Sequence, residues 1–230
     1  MMSIDVLSDL LPRERQSERI HGAVVGVVTN NRDPEGLGRV KVAFPWLADG
    51  HESHWARIAA PMAGKDRGIY FLPEVDDEVL VVFEHGRVDC PFVLGALWNG
   101  KDTLPAKNED GKNNLRVIKS RSGHTITLDD TNGAARVTIA DGTQKNTVVL
   151  DSAASSISLT AEKDLVLKAK GNITLESSGG DVSIKCVGLS AQVKEYTFKA
   201  DTNGTVEATA GLAVNCTNGV NVNSGALLVK

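Results

Sequence analysis

The chain has 230 residues, a net charge of −4 and an aromatic content of 4%. Its length suits two small domains, and its mild acidity argues against a nucleic-acid partner, which needs a basic footprint. No apolar run approaches the ~20 residues that span a bilayer as a helix, and the chain start lacks the basic-then-apolar pattern of a secretory leader.

Residues 1–19 read as a separate segment. Ile4, Leu7, Leu10 and Leu11 fall near helical spacing, Pro12 stops the run, and a densely charged stretch follows to Arg19. Two readings stay open: a frayed terminus, or a docking segment that orders on a partner.

Residues 20–100 predict a small antiparallel barrel. Strand candidates are Gly22–Thr29, Arg39–Phe44, Trp55–Ala59, Glu78–Glu84 and Cys90–Leu97. Turn chemistry separates them at Asp33-Pro34-Glu35-Gly36, Ala48-Asp49-Gly50, Gly64-Lys65-Asp66 and His85-Gly86. Five short strands without a long helix suggest an OB-type barrel, a fold that does not by itself fix function. A polar linker over 101–114 follows, with Pro105, Gly111 and the adjacent Asn113 and Asn114.

Residues 115–230 repeat. Ile157/Leu159, Leu165/Leu167, Ile173/Leu175 and Val182/Ile184 recur at steps of 8, 8 and 9, with turn residues between them. The pattern extends upstream through Ile126/Leu128, Val137/Ile139 and Val148/Leu150, and downstream through Tyr196/Phe198, Val206/Ala208, Leu212/Val214, Val220/Val222 and Leu227/Val229. Alternating apolar residues give strands with one buried face, and a short fixed period stacks such units along an axis. Eight residues make one face of a prism rather than the ~20 or more of a self-closing coil. Three strand steps within one chain, or one strand from each of three chains, would close the prism. The drifting step and varied inward residues favour three chains, so the expected fold is all-β: an OB barrel followed by an intertwined triple-stranded β-helix, as a homotrimer.

Composition marks the same division. All seven prolines lie at or before Pro105, and a proline-free stretch suits strands paired on both edges. Eight of the ten aromatics lie between Phe44 and Trp98, as a narrow prism interior requires. Residues 1–110 carry 12 basic and 18 acidic groups (−6), and 111–230 carry 13 and 11 (+2), which sum to −4.

Chemical sites are weakly signalled. His51-x-x-His54 with Glu52 between lacks a third placed ligand for a metal. Glu74 with Asp76-Asp77-Glu78 reads as a solvated turn rather than paired catalytic carboxylates. Gly36-x-Gly38 lacks the third glycine and helix of a dinucleotide site and reads as a hairpin turn. Cys90, Cys186 and Cys216 lack metal spacing and read as buried free thiols in a reducing compartment. No Gly-x-Ser-x-Gly occurs, so catalytic, cofactor and metal residues are all assigned as none.

An ordered series of motifs then carries a resemblance. It runs through Gly26-Val27-Val28, Asp33, Gly36-Leu37-Gly38-Arg39-Val40-Lys41-Val42, Phe44-Pro45-Trp46 and Ser53-His54-Trp55-Ala56-Arg57. It continues with Gly68, Phe71-Leu72-Pro73-Glu74, Asp77-Glu78-Val79-Leu80-Val81, Phe83-Glu84-His85-Gly86, Pro91-Phe92-Val93-Leu94-Gly95 and Trp98-Asn99-Gly100. Over residues 22–100 the chain resembles the spike half of valine-glycine repeat (VgrG) proteins and the phage baseplate assembly protein V family. One departure is Asp76, where the family usually has Gly.

The resemblance implies a trimeric, non-enzymatic central spike of a contractile injection machine: a phage tail, tailocin, extracellular injection particle or type VI system. It implies a β-helix after the barrel, a separate hub beneath the tail tube, a small PAAR-type tip protein, and the target-cell envelope as the struck surface. On that reading Ile4, Leu7, Leu10 and Leu11 meet the hub, and Leu227, Leu228, Val229 and Lys230 form the tip face. Localisation would be cytoplasmic during assembly, then within a phage-tail-like particle. Some such spikes hold iron through His-x-His near the tip, but no histidine follows His124 here. About a dozen strand steps at ~4.8 Å would give a needle of roughly 60 Å. The rivals are a β-helix polysaccharide-degrading enzyme, a carbohydrate-binding tail protein and a nucleic-acid-binding OB protein. Scattered acids and two aromatics in the repeat speak against the enzyme, and the acidic barrel half speaks against nucleic acid.

Overall fold

A computed structural model describes residues 19–47 and 51–218. They fall into two units that divide between Val166 and Leu167.

The first unit begins with the predicted barrel. Its strands are β1 (Val24–Asn30), β2 (Lys41–Ala43), β3 (Arg57–Ile58), β4 (Ala63–Gly64), β5 (Arg67–Gly68), β6 (Glu78–Phe83) and β7 (Pro91–Ala96). Five of them form one sheet in the order β2-β1-β6-β7-β3, and β4 and β5 make a separate hairpin. The strict alternation of β6 sends Val79, Val81 and Phe83 into the core and leaves Glu78, Leu80 and Val82 half-buried. Val28, Val40, Val42, Phe44, Ala56 and Val93 complete that core. Phe44 sits 5.6 Å from Phe83, ring centre to ring centre, a tilted aromatic pair.

Gly26 of β1 is crowded by β2 and Phe44. A Cβ there would lie 2.3 Å from Val42 Cγ1, so no larger residue fits between the strands. Ser53, the one buried polar residue among the described core, is satisfied on both sides. Its hydroxyl accepts from the Val42 N–H at 3.0 Å and donates to the His54 carbonyl at 2.7 Å.

After Ala96 the chain runs through turns to a second five-stranded sheet: β8 (Leu115–Lys119), β9 (Thr125–Asp129), β10 (Arg136–Ala140), β11 (Thr147–Asp151) and β12 (Ser156–Thr160). Each strand pairs antiparallel with the next, giving the order β12-β11-β10-β9-β8. The repeat period predicts exchange of strands between chains throughout 115–230. Over 115–160 the strands instead pair within one chain. The connections of 5, 6, 6 and 4 residues between consecutive strands are long enough to reverse direction.

The second unit begins at Leu167. Among the described residues no strand is assigned after Thr160, and every residue from Glu162 to Asn218 is exposed. Ile173 and Leu175 are 56% and 73% exposed, although their spacing is that of a buried strand face. Cys186 and Cys216 are exposed on the single chain and Cys90 is half-buried, against the expectation of three buried thiols. The thiols in the repeat share the fate of its aliphatic residues, which find no cover inside one chain.

Candidate assembly surface

The strand register of the meander gathers one continuous aliphatic face. One row runs Ile118, Ile126, Ile139, Val148 and Leu159 across all five strands. The next row on the same face runs Arg116, Leu128, Val137, Leu150 and Ile157. Nine of these ten positions are aliphatic, and the exception is Arg116 on the edge strand. The opposite face carries rows such as Val117, Thr127, Thr138, Val149 and Ser158. A hollow of about 710 Å³ opens on the aliphatic side, lined by Ile118, Ile126, Ile139, Val148 and Leu159.

That face is not covered. Ile126, Leu128, Ile139, Leu150, Ile157 and Leu159 are all exposed. An aliphatic patch of this extent marks an interaction surface. β12 adds a second invitation, since it is exposed at every residue and, among the described residues, pairs only with β11. Its free edge offers unpaired backbone groups to another strand.

Turns at one end of the meander are tied to one another. Gly142 packs against the β8–β9 turn so closely that a Cβ would lie 2.2 Å from the Ser122 carbonyl oxygen. Its N–H donates to His124 Nδ1 at 3.0 Å, and the Gln144 side-chain amide donates to the Gly123 carbonyl at 3.1 Å. Asp141 gathers donors from its own loop: the Asn146 side-chain amide at 2.8 Å, the Thr143 hydroxyl at 2.9 Å and two backbone N–H groups. The Asn146 hydrogen bond, then those from Thr143 and the backbone, hold the Asp141 carboxyl down at about 2. Lys145 pairs with Glu162, and the Glu162 N–H donates to the Asn146 side-chain oxygen at 3.0 Å. The chain therefore leaves β12 in contact with the β10–β11 loop.

The OB barrel has its own wired loop between β1 and β2. The Asp33 carboxylate accepts two bonds from the Arg39 guanidinium, at 2.9 and 2.8 Å, and backbone N–H bonds from Glu35, Leu37 and Arg39. The Arg39 pair, helped by those backbone donors, holds the Asp33 carboxyl well below the usual carboxylate range. Gly36 and Gly38 both adopt positive φ, as the hairpin reading of Gly36-x-Gly38 requires. The guanidinium of Arg39 and the ammonium of Lys41 lie 5.8 and 5.6 Å from the Trp55 ring centre.

The weakly signalled sites fall as follows. His51 and His54 are exposed, and Glu52 is paired with Lys41 at 3.0 Å, which lowers its pKa. Among the described residues no group of three or more His, Cys, Asp or Glu gathers as a metal site. Asp77 caps the turn before β6, accepting from the Glu74 N–H at 2.8 Å, while Glu74 pairs with Arg121 at 2.6 Å. Glu74, Asp76, Asp77 and Glu78 thus form a turn that also touches the meander. Asp76 sits at φ 76°, the left-handed region that favours glycine. The departure at Asp76 therefore places a side chain where the backbone suits glycine. Ile4, Leu7, Leu10 and Leu11, and Leu227, Leu228, Val229 and Lys230, lie outside the described residues. Sequence reasoning missed the aliphatic row across β8. Arg116 and Lys119 hide Ile118 in a stretch that reads as polar.

Comparison with known proteins bears on the barrel. Residues 24–98 match the family model of the type VI secretion system/phage-baseplate injector OB domain. Curated relatives include three type VI secretion system spike proteins of Pseudomonas aeruginosa. VgrG2a is 32% identical over 130 residues, covering 53% of this chain and 15% of that protein. VgrG5 is 37% identical over 105 residues, covering 41% of this chain and 13% of that protein. VgrG1a is 31% identical over 130 residues, covering 51% and 20%. The chain thus spans at most a fifth of the length of these relatives. The ordered motifs of residues 22–100, the barrel that they build and the family match agree: over residues 24–98 this chain carries a type VI secretion system/phage-baseplate injector OB domain.

Proposed function

We propose that this chain is the protomer of a homotrimeric central spike in a contractile injection machine, a structural part rather than an enzyme. The observation that carries the reading is the exposed aliphatic face of the meander, followed by a periodic segment in which no strand is assigned among the described residues, in a chain bearing an injector OB domain. Three such faces turned toward a common axis bury one another, each large aliphatic side chain contributing ~1.5–3 kcal/mol when fully removed from water. Beyond Thr160 the alternating residues take strands from neighbouring chains, starting at the free edge of β12, so that the needle is intertwined. The OB domain rests on a separate hub below the tail tube, a small PAAR-type protein caps the distal end, and the sheath supplies the work of crossing the target envelope. Ile4, Leu7, Leu10 and Leu11 are assigned to the hub, and Leu227 to Lys230 to the tip.

Light scattering on the purified chain, with and without heating in detergent, tests this. The expected mass is three times 24.4 kDa, persisting in detergent because separation needs three chains to unwind together. A stable, folded monomer would refute the spike reading.

A further inference from the structure

The OB domain carries an apolar feature that its own core does not use. Tyr70 and Phe71 are 76% and 67% exposed, side by side in the segment between β5 and β6. They are not on a loose loop. The Ile69 N–H donates to the Met62 carbonyl at 3.0 Å, and Leu72 packs against the barrel core. The two rings are therefore held out into solvent from an anchored backbone. Aromatic side chains bury 150–250 Å² each when covered, a large quantity to leave in water.

The surface around them is continuous with the meander. Phe71 and Ile69 line a hollow of about 490 Å³ together with Leu37 and Met62. The same two residues line a second hollow of about 870 Å³ that reaches Leu94 and Ile118. Ile118 in turn begins the aliphatic row of the meander and lines the hollow there. A strip of apolar residues, bordered by Asp66, Arg67, Asp77 and Lys119, thus passes from the β4–β5 hairpin across to β12. Arg121, which borders the strip, is already paired with Glu74.

We propose that Tyr70 and Phe71 are intersubunit contacts, covered in the assembled spike by a second copy of this chain within the interface that covers the meander. The inference rests on the trimeric reading above and extends it to the OB domain. A second copy is the occupant because the strip does not end at the barrel edge. Whatever covers Ile118 and the row beyond it must offer aliphatic surface along the full meander, and another copy brings that surface each time the chain assembles. With the OB domain and the meander gripped by the same neighbour, axial load would pass between them through side-chain packing as well as through residues 97–114.

Hydroxyl-radical footprinting of the full chain, read residue by residue, tests the proposal. Trp98 is the reference, since it is 65% exposed on the single chain and lies off the strip. In a particle with the mass of three chains, Tyr70 and Phe71 should react about fivefold or more slowly than Trp98 after correction for intrinsic reactivity, the contrast of a dry interface core with a wet surface. Equal corrected rates in a three-chain particle would overturn the proposal and leave the trimer standing. A one-chain mass would instead overturn the trimer itself, so the two failures have different signatures.

Discussion

Leu159 and Ser158 are neighbours on β12 that point to opposite faces of the meander, which makes them a matched pair for testing what holds the spike together. Leu159 lies on the aliphatic face and is 56% exposed on the single chain. If assembly covers that remaining half, each copy contributes about 1–1.5 kcal/mol, and three copies about 3–5 kcal/mol. Leu159→Asp removes that contribution and strands three carboxylates in an apolar interior, where an unpaired charge costs several kcal/mol more. Ser158→Asp places the same carboxylate on the same exposed strand but on the hydroxyl-bearing face, within about ±0.5 kcal/mol of neutral. The assay is solution mass against chain concentration, with detergent resistance alongside. Leu159→Asp should give monomer or aggregate where wild type gives trimer, and Ser158→Asp should remain trimeric. A trimer of unchanged resistance from Leu159→Asp would refute the reasoning. Equal loss from both variants would show that the strand edge, not the aliphatic face, governs assembly.

Two further expectations concern local structure. Asp76→Gly should stabilise the OB domain by about 0.5–1 kcal/mol: relief of a left-handed backbone for a side-chain-bearing residue outweighs the added entropy of glycine. A thermal melt should move up by several degrees, with Asp76→Ala showing no such gain. Asp141 should set an acid limit on the meander turns. Its folded pKa of about 2 lies below the ordinary aspartate value, so its contribution is present above about pH 4 and is lost as pH falls toward 2. Asp141→Asn should flatten the dependence of melting temperature on pH across that window, and an unchanged slope would count against it.

Much of the barrel was legible in the residues. The alternation Val79, Val81, Phe83 predicts β6, and the observed strand is Glu78–Phe83. Asp33-Pro34-Glu35-Gly36 predicts a turn, and the carboxylate of Asp33 is what closes it. The β4–β5 hairpin shows only its turn at Gly64-Lys65-Asp66, because Ala63-Gly64 and Arg67-Gly68 carry no apolar alternation. β8 escaped for a related reason: Arg116 occupies an aliphatic-face position and breaks the pattern that Ile118 continues. The departure at Asp76 was visible as a residue out of place, but its positive φ belongs to the folded chain.

Which side chains share a face follows from the order of residues alone. A period of two is a property of the extended backbone, so Val137 and Ile139, or Val148 and Leu150, must point the same way wherever their strands lie. The change from barrel to repeat is equally visible in the chain, through its proline and aromatic content. Which strand pairs with which needed the folded molecule. Backbone hydrogen bonds are the same for any partner, and the length and geometry of each connection select the neighbour. Between Leu115 and Thr160 that selection falls within the chain, and the aliphatic face that results stays exposed among the described residues.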